Sequence, residues 1–429
     1  MADLRDLSPS ALDLTDPWLR HRDPEGWDAL FARLRTRDAP VFFPEAKFPF
    51  LPRGAGYHAL VRHADVAAAS RDAAVFGSAP CAVVPEIPAQ AAAYVGSMLI
   101  DMDAPRHTRI RRVVSRAFSP RVLARIDDGV RLAAREQVDE LVARGPGDFV
   151  EPLAARLPVR VIGDMMGIPR EHHERLRLMV QTMIGLSDPE LGGLPEGCGR
   201  ARALSSFHRA MRASRSLYRF GIALGRERAA EPRDDLASVL VRRNDDGDRL
   251  SSRELGSFFV LLLVAGTETT GNALAHGLRL FTDHPGQRAR LLSDLDGRVG
   301  GAVEEVVRLA SPVLVMRRTL RRDHELRGTA LRRGDRVMLF YRSANRDEAV
   351  FDRPEEFDIT RSPNPHLGFG GPGPHHCLGA HLARRELAAA FTELFSRLPG
   401  IRATGRPGLL VSPFFHGVKS LGCDWRGRP

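Results

Sequence analysis

The stretch that most limits what this chain can become runs from His366 to Arg385. It reads His-Leu-Gly-Phe-Gly-Gly-Pro-Gly-Pro-His-His-Cys-Leu-Gly-Ala-His-Leu-Ala-Arg-Arg. Four glycines and two prolines lead up to one cysteine, Cys377, and an Ala- and Leu-rich helical pattern starts directly after it. A helix start carries free N–H groups and positive partial charge. That environment lowers a thiol's pKa and favours the thiolate, the form that binds metals. The glycines let the backbone approach a flat partner closely.

Four readings fit this loop taken alone. Cys377 suits the axial ligand of a haem iron. Gly368-Phe-Gly370-Gly-Pro-Gly373 matches G-x-G-x-x-G, but no buried strand precedes it and Pro374 stands where a helix should open. His381 lies four residues past Cys377, yet no full zinc ligand set is visible. The plain alternative is a turn with a buried structural cysteine.

The chain has 429 residues, 43% of them hydrophobic, enough for a sizeable core. Its four cysteines, Cys81, Cys198, Cys377 and Cys423, lie far apart, which points to a reducing cytoplasm. No signal-peptide core opens the chain, and the longest apolar run, Phe258 to Gly266, is too short to span a bilayer. We therefore expect a cytoplasmic protein with no membrane span. The formal charge is +10 and almost all the cations are arginine. These read as scattered beside acids, without aromatic interleaving, which speaks against nucleic acid as a partner.

Residues 1 to about 14 read as loosely ordered. Helical pattern begins near Trp27 to Arg35, and extended pieces follow at Val41 to Phe43 and Tyr57 to Val61. A long Pro-punctuated loop covers Ser78 to Tyr94. Asp103 is placed to cap a helix with Pro105 in its first turn, and His107 and Arg111 share a face of it. Further helices fit Arg121 to Arg144 and Val159 to Met166. Two more, between Arg170 and Arg228, flank a soft loop from Leu186 to Gly199 that reads as a lid. Ser251-Ser-Arg-Glu254 is a capping box opening a long apolar helix. That helix contains Ala265-Gly266-Thr-Glu268-Thr269-Thr-Gly, an acid and hydroxyls suited to holding water or relaying protons. Glu305 and Arg308 face the same way on a later helix. Strands are expected at Leu326 to Thr329 and Arg336 to Phe340, and a last helix at Ala380 to Leu398.

Taken together, the Cys377 loop, Ala265 to Thr270, Glu305-x-x-Arg308, Ala344-Asn-Arg-Asp347 and His107-x-x-x-Arg111 resemble soluble bacterial cytochromes P-450, in the same chain order. The resemblance runs from about Trp27 to the C-terminus. It implies a mainly α fold with small β-sheets, the triangular helical prism of that family, as a single domain over residues 1–429. It implies haem b with Cys377 as axial thiolate, and Phe369, Gly370 and Gly379 shaping the proximal side. Arg111, Arg318 and His375 match positions that hold the haem propionates, with His107 as a helper. Glu268 and Thr269 match the acid–alcohol pair that delivers protons to dioxygen, and Ala265 and Gly266 the small residues that make room for it. Glu305 and Arg308 match the structural pair behind the haem loop, with Arg361 as a third member. Val313, Val315, Met316, Phe414 and Phe415, the loop from Cys81 to Tyr94 and the Leu186 to Gly199 lid would line the pocket.

There are departures. Phe369 stands eight residues before Cys377 rather than seven, Glu348 replaces a proline, and His376 replaces an apolar residue. The longer loop, with Ser311-Pro-Val and Phe415-His-Gly417, resembles the actinobacterial branch that oxidises methyl-branched lipids and cholesterol side chains. The implied activity is a haem-dependent monooxygenase hydroxylating an unactivated C–H bond of a hydrophobic lipid-like substrate, a branched lipid, sterol or terpenoid, with O₂ and two electrons. Electrons would come from NAD(P)H through a ferredoxin reductase and a ferredoxin or flavodoxin, because no such domain fits in this length. Arg384 and Arg385 are candidate docking residues for that acidic partner. The rivals are a tailoring enzyme for a polyketide, terpenoid or peptide, and a haem sensor or carrier without turnover.

Overall fold

The computed structural model describes residues 12–45, 54–84, 98–243 and 247–426. Residues 1–11 and most of the loop from 81 to 94 lie outside that set. Leu12 and Leu14 are buried, so the tail is anchored earlier than the sequence suggests.

The centre is the 32-residue helix Ser252–Asp283. Its capping box forms as expected: the Glu254 amide donates to Ser251 Oγ at 3.2 Å, and the Ser251 amide to Glu254 Oε2 at 2.9 Å. This helix is long and apolar enough to cross a bilayer, but 61% of its most apolar window is buried in the protein. It is a core helix. The helix Arg200–Ala230 lies across it at close range: a Cβ on Gly256 would meet the Tyr218 carbonyl at 2.9 Å. Further along, Phe281 packs edge-on to Phe357, Phe391 and Phe395 at 5.1, 5.8 and 5.1 Å. Such aromatic clusters dominate core energetics through their buried area.

Three small sheets surround the helices. β1 (Val41–Phe43), β2 (Tyr57–Leu60), β3 (Phe76–Gly77), β5 (Val315–Leu320) and β8 (Arg336–Phe340) form one sheet in the order β1-β2-β8-β5-β3. β4 (Gly147–Asp148), β9 (Arg402–Leu409) and β10 (Val418–Asp424) form a second. β6 (His324–Leu326) and β7 (Thr329–Leu331) make a hairpin. Leu326 to Thr329 is therefore a turn and not the expected strand, because Arg327 and Gly328 take φ of 51° and 77°. The helix after Asp103 starts at Arg106, and the Asp103 carboxylate accepts from the Ser78 and Ala79 amides at 2.9 and 3.2 Å instead of capping it.

Glu305 and Arg308, on the helix Leu295–Ala310, are both fully buried and bonded bidentately at 2.8 Å. Arg308 also donates to the carbonyls of Asn345, Pro354 and Glu356 at 2.9, 2.6 and 3.0 Å. Glu305 accepts from Arg361, Asn364 and the Asp358 amide. One ion pair thus ties the irregular segment between 345 and 364 to a helix, with every charge satisfied. Asn345 continues the chain of support, accepting from the Leu367 amide at 2.7 Å at the mouth of the cysteine loop. Glu348, where the family has proline, clamps Arg35 of the helix Pro24–Arg35 at 2.7 and 2.9 Å.

Candidate active site

The cysteine loop folds back on itself. Gly370 takes φ of 82°, and the Cys377 amide donates to the Phe369 carbonyl at 2.9 Å. Glycine adopts that left-handed conformation without a Cβ penalty. The helix Ala380–Arg397 starts after the N-cap Gly379, so Cys377 sits just outside it. Its sulfur opens onto a cavity of about 230 Å³ between this loop and the central helix. The helix start does not dominate this thiol as the sequence suggests. Burial pushes the Cys377 thiol up, and the Gly379 amide, Arg111 and Arg384 pull it back only in part.

Phe258, Leu262, Ala265, Gly266, Thr269 and Thr270 of the central helix line the opposite wall. They recur at three- and four-residue spacing, the period of one helix face. Gly266 is small because Ile162 presses there: a Cβ would sit 2.4 Å from its Cδ1. Thr269 Oγ1 donates to the Ala265 carbonyl at 2.7 Å, which leaves its lone pairs free to accept. Glu268 is turned away from the cavity lining. Burial raises its carboxyl to about 7, against the pull of Arg177 on the helix His173–Ile184.

One corner of the cavity is cationic. Arg111, Arg318 and His375 line it. His107 lies behind, its ring 4.2 Å from that of His375. Nε2 of both histidines is buried without a hydrogen-bond partner. Burial, then Arg318, His107 and Arg111, lower His375 to about 3, so it stays neutral. Buried polar nitrogens with no hydrogen-bond partner are costly and point to a missing one. A flat group bearing carboxylates, with a metal facing Cys377, answers both needs. The residues present therefore fit a haem. Among the described residues no group of three His, Cys, Asp or Glu gathers as a metal site.

Three comparisons bear on this geometry. Residues 203–399 match the family model described as Cytochrome P450. The chain is 46% identical over 407 residues to the methyl-branched lipid omega-hydroxylase of Mycobacterium tuberculosis, covering 94% of this chain and 92% of that one. The chain belongs to the cytochrome P450 family. This P450 is also 37% identical to a steroid C26-monooxygenase of Mycolicibacterium smegmatis, over 87% of its own length and 84% of the relative's. It superposes on a Mycobacterium marinum cytochrome P450 solved with pseudoionone at a TM-score of 0.89. There the identity is 39%, and 98% and 100% of the two chains are covered. It is a mainly α monooxygenase of that fold, with small sheets, and the family's cofactor and oxidant are haem iron and O₂.

The structure gathers Cys377, Phe369, Gly370, His375, Gly379, Arg111, Arg318, Ala265, Gly266, Thr269, Val313 and Met316 around the cavity of this P450. It leaves others out. Val315 points to the far face of β5 from Met316 and Arg318, because successive strand residues alternate, and it packs in the core beside Leu314 and Phe340. Phe414 and Phe415 pack edge-to-face at 4.7 Å beside Val313 and are not among the cavity-lining residues. The expected lid also misses it. Asp188 there is fully buried and accepts from Lys419 and the Val411 amide, both at 2.9 Å.

Glu386 was missed by sequence reasoning. It is among the residues around the cavity, its carboxyl is buried with Oε2 unpartnered, and burial holds it well above the glutamate range. The available signal was an acid inside the apolar stripe of Leu382, Ala383 and Leu387. Arg384 and Arg385, the candidate docking residues, are each partly exposed and each ion-paired. Arg384 is held by Glu304 at 2.6 and 3.0 Å, and Arg385 by Asp127 at 2.7 Å.

Proposed function

We propose that this monooxygenase hydroxylates an unactivated C–H bond of a methyl-branched lipid or sterol-like substrate, with Cys377 as the axial ligand of its haem. The 46% identity to the methyl-branched lipid omega-hydroxylase, end to end, carries the substrate class. The apolar wall of Phe258, Leu261, Leu262, Val313 and Met316 supports it. Relatives from biosynthetic pathways, such as the bacillaene polyketide synthase P450 of Bacillus subtilis at 29% identity, stand further off, so a tailoring role is the lesser reading.

Haem, when bound, supplies the oxygen chemistry. The chain supplies the rest. Arg111 and Arg318, with His375 beside them and His107 behind, would hold the two propionates, the guanidiniums through charge-assisted bonds. Ala265 and Gly266 leave space on the distal side. Thr269 accepts a hydrogen bond there while donating to Ala265. Glu268, with its proton held until about pH 7, exchanges protons between the Arg177 side and that threonine. Glu305 and Arg308 brace the loop that carries Cys377. The chain acts as one domain in the cytoplasm, with electrons from NAD(P)H through a reductase and a ferredoxin or flavodoxin.

The test is a titration of the purified haem protein with methyl-branched fatty acids, sterols and macrolides, following the iron spin-state shift, with products identified by mass spectrometry. A shift and terminal hydroxylation with lipids are expected. Binding confined to macrolides overturns the substrate class. A carbon monoxide difference spectrum without the red-shifted thiolate band overturns Cys377.

A further inference from the structure

We propose that the solvent face of the helix Arg200–Ala230 docks this protein electrostatically on an anionic lipid bilayer. This helix holds eight arginines and one glutamate, a formal +7 within a chain whose total is +10. The arginines are therefore not scattered, as the sequence taken whole implied.

They are also aligned. Arg212, Arg219 and Arg226 recur every seven residues, two helical turns, and stand on one exposed line. Arg202 and Arg209 flank it, also exposed. From Arg202 to Arg226 the stripe runs roughly 36 Å at about 1.5 Å per residue. The acids nearby are engaged elsewhere: Glu227 with Arg228 and Arg233, Glu196 with Arg22, Glu190 with Lys419. No carboxylate neutralises Arg202, Arg212, Arg219 or Arg226 among the described residues.

The chemistry of the stripe selects a fluid anionic plane over a folded partner. A specific protein interface needs aromatic anchors set in pockets. Here the side chains between the arginines are Ala201, Ser205, Ser216 and Ala223, with Leu204 exposed at the edge. The apolar side of the helix is already committed to the core, where Phe220 stacks on Phe259 at 5.5 Å. The helix therefore lies on the headgroups and does not insert. Each arginine near an anionic surface adds favourable energy within a Debye length. The inner face of the same helix packs on the central helix between Ser252 and Phe259, next to the segment that lines the cavity, so docking here brings the protein's apolar cavity nearer a reservoir of apolar molecules.

The test uses the haem-loaded full-length protein and sedimentation with phosphatidylcholine vesicles, with and without phosphatidylglycerol. Binding only to the anionic vesicles, released by high salt, is expected. Replacing Arg212, Arg219 and Arg226 together with glutamine should lower the partition coefficient roughly a hundred-fold, with the visible spectrum and melting curve unchanged. Should the triple variant misfold, Arg212→Gln and Arg219→Gln alone should each weaken binding several-fold. No binding to anionic vesicles at low salt, or binding indifferent to these changes, overturns the proposal. So does stripe-dependent capture of an acidic carrier protein or duplex DNA without vesicle binding. Vesicle binding involves no turnover, so its failure leaves the reading of the active site in place.

Discussion

The guanidinium of Arg384 lies over the ring of Phe369, 4.3 Å from its centroid, and Glu304 fixes it there. The same carboxylate accepts from His366 Nε2 at 3.0 Å. A side chain that the sequence offers as a docking candidate is thus part of the brace under the cysteine loop.

Arg384→Ala should cost about 1–2 kcal/mol in denaturant unfolding, from a lost bidentate pair and a lost cation–π contact. Lysine should restore less than half, because it cannot fork. Burial opposes ionisation of Glu304, but the bonds from His366 and Arg384 outweigh it and hold the carboxyl at about 2. The folded state keeps it charged where the unfolded chain takes up a proton. Its stabilisation is complete above an ordinary glutamate pKa and fades as pH falls toward 2. Glu304→Gln should flatten that acid limb, read by melting temperature against pH.

Arg308→Ala leaves Glu305 as a buried, half-paired charge. A loss of roughly 3–5 kcal/mol is expected, enough to prevent stable haem incorporation. The ratio of Soret to protein absorbance after purification measures it. Full incorporation would contradict the bracing role.

Glu268→Gln should act with pH. Burial raises the Glu268 carboxyl to about 7. Between an ordinary glutamate pKa and 7 the folded state holds a proton that the unfolded chain releases, so stability falls as pH rises through that window. Glutamine removes the penalty. The variant should be more stable than the parent at pH 8, by on the order of 2 kcal/mol, and equal to it near pH 4.

Thr269→Ala removes the acceptor on the distal wall and leaves the cavity otherwise intact. Substrate-driven O₂ consumption should continue while the product per O₂ falls several-fold, with the remainder appearing as hydrogen peroxide. Unchanged coupling would sink the proton-delivery role.

Lys419→Ala deprives the fully buried Asp188 of its only charged partner among the described residues. Backbone amides of Val411 and Glu190 remain as donors. We expect about 1–3 kcal/mol of destabilisation and faster amide exchange over residues 185–199, with the rest of the chain unchanged.

Much of the fold and part of the site were readable from the chain alone. The capping box at Ser251, the Glu305–Arg308 pair, the turn around Cys377 and the Thr269 helix face depend on residues a few positions apart. Local hydrogen bonding and helical spacing decide such features, so spacing in sequence is spacing in space. What the chain could not disclose depends on segments far apart meeting. Glu268 titrates high because burial by neighbouring elements outweighs the pull of Arg177, ninety-one residues earlier in the chain. Arg384 is held in a brace because Glu304, eighty residues earlier, arrives beside it. The thiol of Cys377 rises because burial outweighs the nearby helix start. The basic stripe lay between the two cases. Its arginines could be counted in the sequence, but only the helix, with its apolar side buried and the nearby acids paired elsewhere, left them together on one open face.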